Sequence, residues 1–335
     1  MSFRAGIVGF RGYSGHELLT ILSRHAAVDP VLLEHRADSH DRHRPIGYQS
    51  PPRIPCTQEA VAAEKLDVVF LATPPEVSME LTPWLLDAGA KVVDLSGAFR
   101  LRTIDNYKRW YKEDHTQEAL LHEAVYGLPE FYRHLVPGAR LISNPGCYPT
   151  AANLALRPLA AAGVIDRAAG IVCDAKSGVS GAGRKPSLKT SFCEVTENFS
   201  AYSILDHRHV PEVLMNTELN ESEFSFTAHL LPLHRGILET IYLRTVNVQA
   251  AHDLIDIYQR FYKDSPFVRI YPAGHVPDLH AVQHTNFCDI GLKWDPISHR
   301  TVIVSTIDNL GKGAAGQAVQ NMNLLLGLPE TEGLL

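Results

Sequence analysis

The chain is expected to fold as an α/β domain with a doubly wound parallel sheet, followed by an α+β domain. Three observations predict this. Short apolar strands alternate with helical stretches through the first half, the pattern of a parallel sheet with helices on both faces. A glycine-rich turn follows the first strand directly, where such sheets bind a dinucleotide. Past residue 147 the strands lengthen and several alternate in polarity, which suits a mixed or antiparallel sheet. At 335 residues, 45% of them hydrophobic, the chain can fill two cores.

Phe3 to Val8 is a short apolar run and reads as a buried first strand. The turn Gly9-Phe10-Arg11-Gly12-Tyr13-Ser14-Gly15 follows, then a helical stretch from Glu17 to Arg24. With Gly6 the glycines keep a G-x-x-G-x-x-G spacing, related to the turn that lets a backbone approach a pyrophosphate resting on a helix N-terminus. Gly9, Arg11, Gly12, Tyr13, Ser14 and Gly15 are therefore candidate cofactor residues. The second strand, Val31 to Glu34, runs into His35-Arg36-Ala37-Asp38-Ser39. An acidic group there favours the ribose 2′-hydroxyl of NAD, and an arginine accommodates the 2′-phosphate of NADP. Both are present; Arg36 and Ser39 lie where the phosphate would sit, so NADP is favoured.

Glu59 to Glu64 reads as a helix, and Asp67 to Ala72 as a buried strand ending at Thr73-Pro74-Pro75. Met79 to Ala88 is expected to be a helix and Lys91 to Leu95 a strand. Ligands of such sheets collect at the carboxyl ends of the strands, which nominates Thr73, Pro74 and Ser96. Leu141 to Ser143 would close the first domain and deliver Cys147 to that edge.

Cys147 sits in Ser143-Asn144-Pro145-Gly146-Cys147-Tyr148-Pro149-Thr150, with helical pattern from Ala151 to Leu159. Free N–H groups and the positive end of a helix dipole favour a thiolate there. They can lower a cysteine pKa from about 8.5 to roughly 3.5–7.5. The same N–H groups would face an oxyanion formed by attack on a carbonyl. Cys147 is thus a candidate nucleophile.

In the second half, strands are expected at Gly170 to Asp174, Glu223 to Leu231, Leu238 to Val248 and Phe287 to Ile290. Helices are expected at Asp206 to Leu219 and His252 to Tyr262, and from the glycine-rich Asn309 to Gly316 stretch on to about Leu326. Domain limits of 1–146, 147–308 and 309–335 follow, the last helix returning to the first domain. The loop Lys176 to Arg184 mixes small residues with two cations, suiting an anionic substrate; Lys176, Ser180 and Arg184 are candidate substrate ligands, Ser177 and Gly178 cofactor ligands. Asn309 and Gly313 join the cofactor set through their glycine-rich turn. His207-Arg208-His209-Val210-Pro211-Glu212 opens a helix, and histidine is the usual partner of a cysteine nucleophile. Two residues apart on a helix, the two imidazoles would point roughly 200° apart.

A net charge of −6 and a pI near 6.3 argue against a nucleic-acid binder that relies on a basic surface. No apolar run reaches the length of about 18 residues that a membrane span needs, and no secretory signal is apparent. Five cysteines without a C-x-x-C disfavour a disulfide framework and a thiolate zinc site. A cytoplasmic enzyme with no metal is expected.

Together these residues resemble the N-acetyl-γ-glutamyl-phosphate reductases and, more distantly, the aspartate-semialdehyde dehydrogenases. The resemblance runs over essentially the whole chain. It includes the glycine turn, Asp94 to Leu101, Tyr126 to Glu130, the Cys147 segment with Ala151, Ala155 and Pro158, the Lys176 to Arg184 loop, His207 to Glu212, and Asn309 to Asn321. It implies an NADP-dependent Rossmann domain, a glyceraldehyde-3-phosphate-dehydrogenase-like C-terminal domain and a homotetramer or homodimer. By position, Cys147 would form a thioester with an acyl phosphate and His209, less directly His207, would be the acid/base. Arg100, Asn144 and Glu212 would join the substrate ligands. The chain departs from the family at Thr73-Pro74-Pro75-Glu76, where Leu-Pro-His is common, and at Gly97, where an acidic residue is usual. The same chemistry on aspartyl phosphate, or on a carrier-linked glutamyl or aminoadipyl phosphate, is the alternative.

Overall fold

A computed structural model describes residues 2–35 and 50–335. Two compact units emerge. The first comprises Met1–Ile104, His115–Asn144 and Ala318–Leu335; the second comprises Asp105–Asp114 and Pro145–Gln317.

The first unit holds a seven-stranded, all-parallel sheet. Its strands are β1 (Phe3–Val8), β2 (Val28–Glu34), β3 (Arg53–Pro55), β4 (Val68–Leu71), β5 (Lys91–Asp94), β6 (Val125–Tyr126) and β7 (Leu141–Ser143). They lie in the order β3-β2-β1-β4-β5-β7-β6. The order reverses between β1 and β4, so the ends of these two strands flank a crevice of the kind that receives a ligand. Ile7, Val8 and the four residues of β4 are fully buried, as expected for strands with helices on both sides.

Several boundaries differ from expectation. The first helix begins at Tyr13 rather than Glu17, because Gly12 is already its extended N-cap. The helix expected from Met79 starts at Pro75, a first-turn position where the missing proline N–H costs nothing. Helices at Ile104–Tyr111 and Glu118–Glu123 were not anticipated.

The second unit is built on a mixed seven-stranded sheet. Its strands are β8 (Ile171–Gly178), β9 (Ser200–Tyr202), β10 (Phe224–Leu231), β11 (Ile237–Arg244), β12 (Val268–Ile270), β13 (Cys288–Trp294) and β14 (Arg300–Ile307). The order is β12-β13-β14-β11-β8-β10-β9; β8/β10 and β12/β13 pair parallel, and the other neighbours antiparallel. One face is covered by the helix Cys147–Ala161, whose Leu154, Leu156 and Leu159 are fully buried. Tyr258 and Tyr262 of the next helix region donate to the carbonyls of Ala155 and Leu154. Strand β14 was not anticipated.

The glycine-rich stretch near residue 311 forms a π-helical turn, Gly311–Ala315, before the helix Gly316–Leu325. No helix among the described residues is long and apolar enough to cross a membrane. All five cysteines are free.

Candidate active site

In the first unit, Gly9 adopts φ +80°, and a Cβ there would lie 2.2 Å from the Ala72 carbonyl oxygen. A Cβ on Gly15 would lie 2.2 Å from the Gly9 oxygen. Both positions thus require glycine: one for the turn, the other to seat the helix on it. Gly12 is different. It caps the helix without a side-chain hydrogen bond, so the open helix end can receive an anion. Beside it lies a pocket of about 220 Å³ lined by Gly9, Arg11, Gly12, Thr73, Pro74 and neighbours including Phe10 and His35. The cradle fits a dinucleotide phosphate.

Glu34, at the end of β2, is paired with two guanidinium groups. Arg11 Nη2 lies 3.1 Å and Arg53 Nη1 3.6 Å from Glu34 Oε1. Both guanidiniums stand over the Phe10 ring, 4.5 and 5.5 Å from its centroid. Arg36 and Ser39 lie outside the described residues.

Three expected ligands of this unit are instead internal ties. Ser96 donates to Asp94 Oδ2 at 2.8 Å and accepts the Ala98 N–H. Burial pushes the Asp94 carboxyl up, against the opposing hydroxyls and Arg100. Arg100, 6% exposed, donates to the carbonyls of Asn144 and Leu95, both at 2.8 Å. Asn144 is buried, donates its N–H to the Asp94 carbonyl and accepts from the Asn321 amide. These residues brace the β5 and β7 ends.

In the second unit, Cys147 is the first residue of its helix, four residues earlier than the helical pattern suggested. Gly146, the N-cap, donates its N–H to Glu212 Oε2 at 2.9 Å. A Cβ on Gly146 would lie 2.7 Å from His209 Nε2 and 2.9 Å from Glu212 Oε1. The imidazole and the carboxylate are therefore pressed against the residue that precedes the thiol. Gly313 closes the other side: its Cβ would be 2.9 Å from Cys147 Cβ. Gly313 thus packs against the candidate nucleophile. Glu212 is fully buried and holds the turn.

The two histidines do not diverge as expected. The helix begins only at Val210, with His209 as its N-cap, so the helical angle between the pair does not apply. Their ring centroids are 4.8 Å apart, and both rings stand edge-on to Tyr148, at 5.4 and 6.1 Å. His207 Nδ1 accepts the His209 N–H at 3.2 Å, which leaves the proton of the neutral ring on Nε2. Burial, helped by the Arg208 charge, pushes His207 down to about 4. Tyr148 and Tyr202 share a hydroxyl contact of 3.1 Å. Burial pushes both phenols up, Tyr202 to about 12, and the nearby Cys147 charge adds to the effect.

Cys147, His207 and His209 open on a cavity of about 480 Å³ that also meets Ser177. Its cations are Lys112, Lys189 and Arg208. The cations expected from the loop after β8 are elsewhere: Lys176 pairs with Asp174 at 2.6 Å, and Arg184 is exposed. Ser180 accepts from the Asn309 amide at 2.9 Å, and Asn309 Oδ1 takes the Gly236 N–H. Both side chains tie two loops together within the unit. Gly178 packs against Leu233 and Arg235 backbone, where a Cβ would come within 2.9 Å. Of the missed residues, Arg208 carried a signal in standing between the two histidines. Lys189 lies just past the Lys176 to Arg184 loop, and Lys112 lies beside no motif.

Comparison with known proteins decides the family. Residues 4–139 match the semialdehyde dehydrogenase NAD-binding domain, and residues 147–309 the semialdehyde dehydrogenase dimerisation domain. An N-acetyl-γ-glutamyl-phosphate reductase of Symbiobacterium thermophilum is 46% identical over 100% of this chain and 98% of its own. That of Bacillus subtilis is 45% identical over 99% and 98%. The chain belongs to the N-acetyl-γ-glutamyl-phosphate reductase family. It is an oxidoreductase that uses a nicotinamide dinucleotide.

Solved aspartate-semialdehyde dehydrogenases share the fold. Enzyme II of Vibrio cholerae, complexed with ASA, has a TM-score of 0.73 at 18% identity, covering 98% of this chain and 99% of its own. The Candida albicans protein with NADP has 0.67 at 17%, covering 97% and 99%. The Rossmann-like parallel sheet and the mixed second sheet agree with the fold expected from sequence. Among the described residues no group of three or more His, Cys, Asp or Glu is placed to hold a metal.

Proposed function

We propose that this chain reduces N-acetyl-γ-glutamyl phosphate to N-acetylglutamate 5-semialdehyde and inorganic phosphate, with NADPH as reductant, in arginine biosynthesis in the cytoplasm. The observation that carries the reading is the placement of Cys147 at a helix N-terminus, on a turn whose Gly146 packs against His209 Nε2, with Cys147 and His209 lining one cavity. The Cys147 thiolate attacks the acyl carbon, the carbon–oxygen bond to phosphate breaks, and a thioester remains. Splitting the displacement this way replaces one hard step with two easier ones. The nicotinamide supplies a hydride when bound. His209 gives the proton from Nε2 to the oxygen that was the thioester carbonyl and takes it back as collapse releases the aldehyde and the thiolate. The positive end of the helix that begins at Cys147 stabilises that oxygen while it is negative. Lys112, Lys189 and Arg208 neutralise the phosphate and carboxylate of the substrate. His207, kept neutral, holds His209 through its backbone N–H.

Support for NADPH comes from Glu34. A carboxylate already paired with Arg11 and Arg53 is a poor partner for a ribose diol. Two arginines over the Phe10 ring, with Arg36 following in the sequence, suit a 2′-phosphate. Support for a homodimer or homotetramer comes from the match of residues 147–309 to a dimerisation domain. The relatives at 45–46% identity favour the acetylglutamyl substrate over the aspartyl one. The test is a phosphate-dependent assay of NADP reduction with a panel of semialdehydes. N-Acetylglutamate semialdehyde should give the highest kcat/KM; a preference for aspartate semialdehyde would overturn the reading.

A further inference from the structure

The π-helical turn Gly311–Ala315 is made of two glycines, two alanines and a lysine. Such a turn has little side chain with which to fix itself, and its glycines widen its conformational freedom. It is nevertheless packed closely. A Cβ on Gly313 would stand 2.9 Å from Cys147 Cβ, and one on Gly311 2.3 Å from the Thr285 carbonyl oxygen. Just past the turn, a Cβ on Gly316 would lie 2.4 Å from Asn286 Oδ1. Short π-helical segments of this kind recur at functional sites.

A single carboxylate gathers the turn. Asp308 is fully buried. Its Oδ1 accepts the N–H groups of Leu310 at 2.9 Å and Gly311 at 3.1 Å. Its backbone carbonyl accepts the Gly313 N–H at 2.9 Å. Its Oδ2 accepts the His284 N–H at 2.6 Å and lies 2.7 Å from Arg235 Nε. Arg235 is buried too, with Nη1 3.0 Å from His284 Nδ1. Its backbone is tied in turn: the carbonyl accepts the Gln283 amide at 3.1 Å, and a Cβ on Gly178 would lie 2.9 Å from its nitrogen. Cys147 lines the substrate cavity, whereas Arg235, Asp308 and Gly313 do not. The ion pair therefore reaches the thiol through the turn.

We propose that Asp308, with Arg235 holding its carboxylate, is a positioning residue for Cys147. The pair fixes the turn, the turn seats Gly313 against the cysteine, and the thiol is kept at the positive end of its helix. Burying two charges costs so much desolvation that a well-packed apolar pair is often the more stable choice; here the charges serve orientation. The inference rests on the reading of Cys147 as the nucleophile.

The test is a double-variant cycle, with Arg235→Met and Asp308→Asn made singly and together in the full chain. Asp308→Asn keeps an acceptor for the turn but sets an amide N–H against His284 and Arg235. The double variant leaves neither charge unpaired, a replacement that folds tolerate, and urea unfolding confirms that it is folded. Kinetics with N-acetyl-γ-glutamyl phosphate and NADPH are one readout. The other is iodoacetamide alkylation across pH, followed on the Cys147 peptide by mass spectrometry. Each single variant should lower kcat roughly ten- to hundredfold with both KM values near wild type. The alkylation midpoint should rise by roughly half a unit as the thiol leaves the helix end. The double variant should lose no more than the worse single one, because the two residues act as a unit. Wild-type kcat and alkylation in the folded double variant overturn the proposal. Losses that multiply overturn the action of Arg235 through Asp308. A raised KM with unchanged kcat would put the pair at a ligand, and a lower kcat with an unmoved alkylation curve would leave it a merely structural tie; either overturns positioning. Alkylation needs no substrate, so it decides the matter even where the acyl-phosphate reading fails.

Discussion

Acidification should unfold the second unit through His207, and the size of the effect follows from its surroundings. The imidazole is 7% exposed. It stands among Tyr148, Tyr202 and Phe226, with ring centroids at 5.4, 5.6 and 5.3 Å. Burial there disfavours the cation and moves the group from 6.5 to about 4, with Arg208 adding to the push. Above about pH 6.5 the ring is neutral both folded and unfolded, and its contribution is complete. Between 6.5 and about 4 only the unfolded chain takes up the proton, so stability falls with pH. The span of 2.5 units, at 1.36 kcal/mol each, corresponds to about 3 kcal/mol. The assay is urea unfolding of wild type and His207→Phe across that pH range. Phenylalanine keeps the aromatic packing but loses the acceptor for the His209 N–H, at a pH-independent cost of about 1 kcal/mol. The curves should converge toward acid pH and cross where the titration loss exceeds that cost. Parallel curves would show that His207 does not titrate in this way, whatever other groups such as His115 contribute to both.

Cys147→Ser should abolish turnover while NADPH binding, followed by fluorescence titration, stays near wild type; substantial residual activity removes the thioester. His209→Asn should depress kcat by about 10²–10⁴-fold and remove one limb of the pH profile, whereas His207→Asn should act more on KM and leave the limbs in place. Arg53→Ala or Arg36→Ala should each raise KM for NADPH roughly ten- to hundredfold, the worth of one charged hydrogen bond, with little change for NADH. Equal effects on both cofactors would contradict a 2′-phosphate role. Gly313→Ala should lower kcat by about 10²-fold, because its methyl group would displace Cys147 and misplacement near 1 Å costs about that much. Cofactor KM, measured in the same titration, should not move.

The parallel half could be read closely because its strands carry one-dimensional signals. Ala5–Val8 and Val68–Leu71 are buried on both faces, so unbroken apolar runs mark them, and a glycine turn or Ala-Thr-Pro follows. Helix starts were read late wherever glycine or proline occupied the first turn, as at Tyr13, Pro75 and Cys147. Strand β14 escaped although Val302, Val304 and Ser305 carry a strand-like composition. It follows a turn around Asp295 to Ser298 and pairs with β13 and β11.

At the site, the reactive groups could be read, but not the division between groups that meet the ligand and groups that hold the turn. Asn144, Arg100, Ser96, Ser180, Asn309 and Glu212 sit beside the catalytic turns in sequence and have the chemistry of ligands. In the structure each is spent on a backbone or side-chain partner inside its own unit. A turn that exposes free N–H groups to a substrate must satisfy its remaining polar groups internally, since an unpaired buried one costs about 1–3 kcal/mol. Polar residues therefore cluster at such turns for two opposite reasons, and a sequence displays them alike. The cavity cations show the converse. Lys112 comes from a segment far from the one that carries Lys189 and Arg208, and it extends from a left-handed position, φ +59°, just past the end of its helix. Nothing local marks such a residue; the fold of the second unit makes it a neighbour of Cys147, and the substrate's negative charge gives it a use.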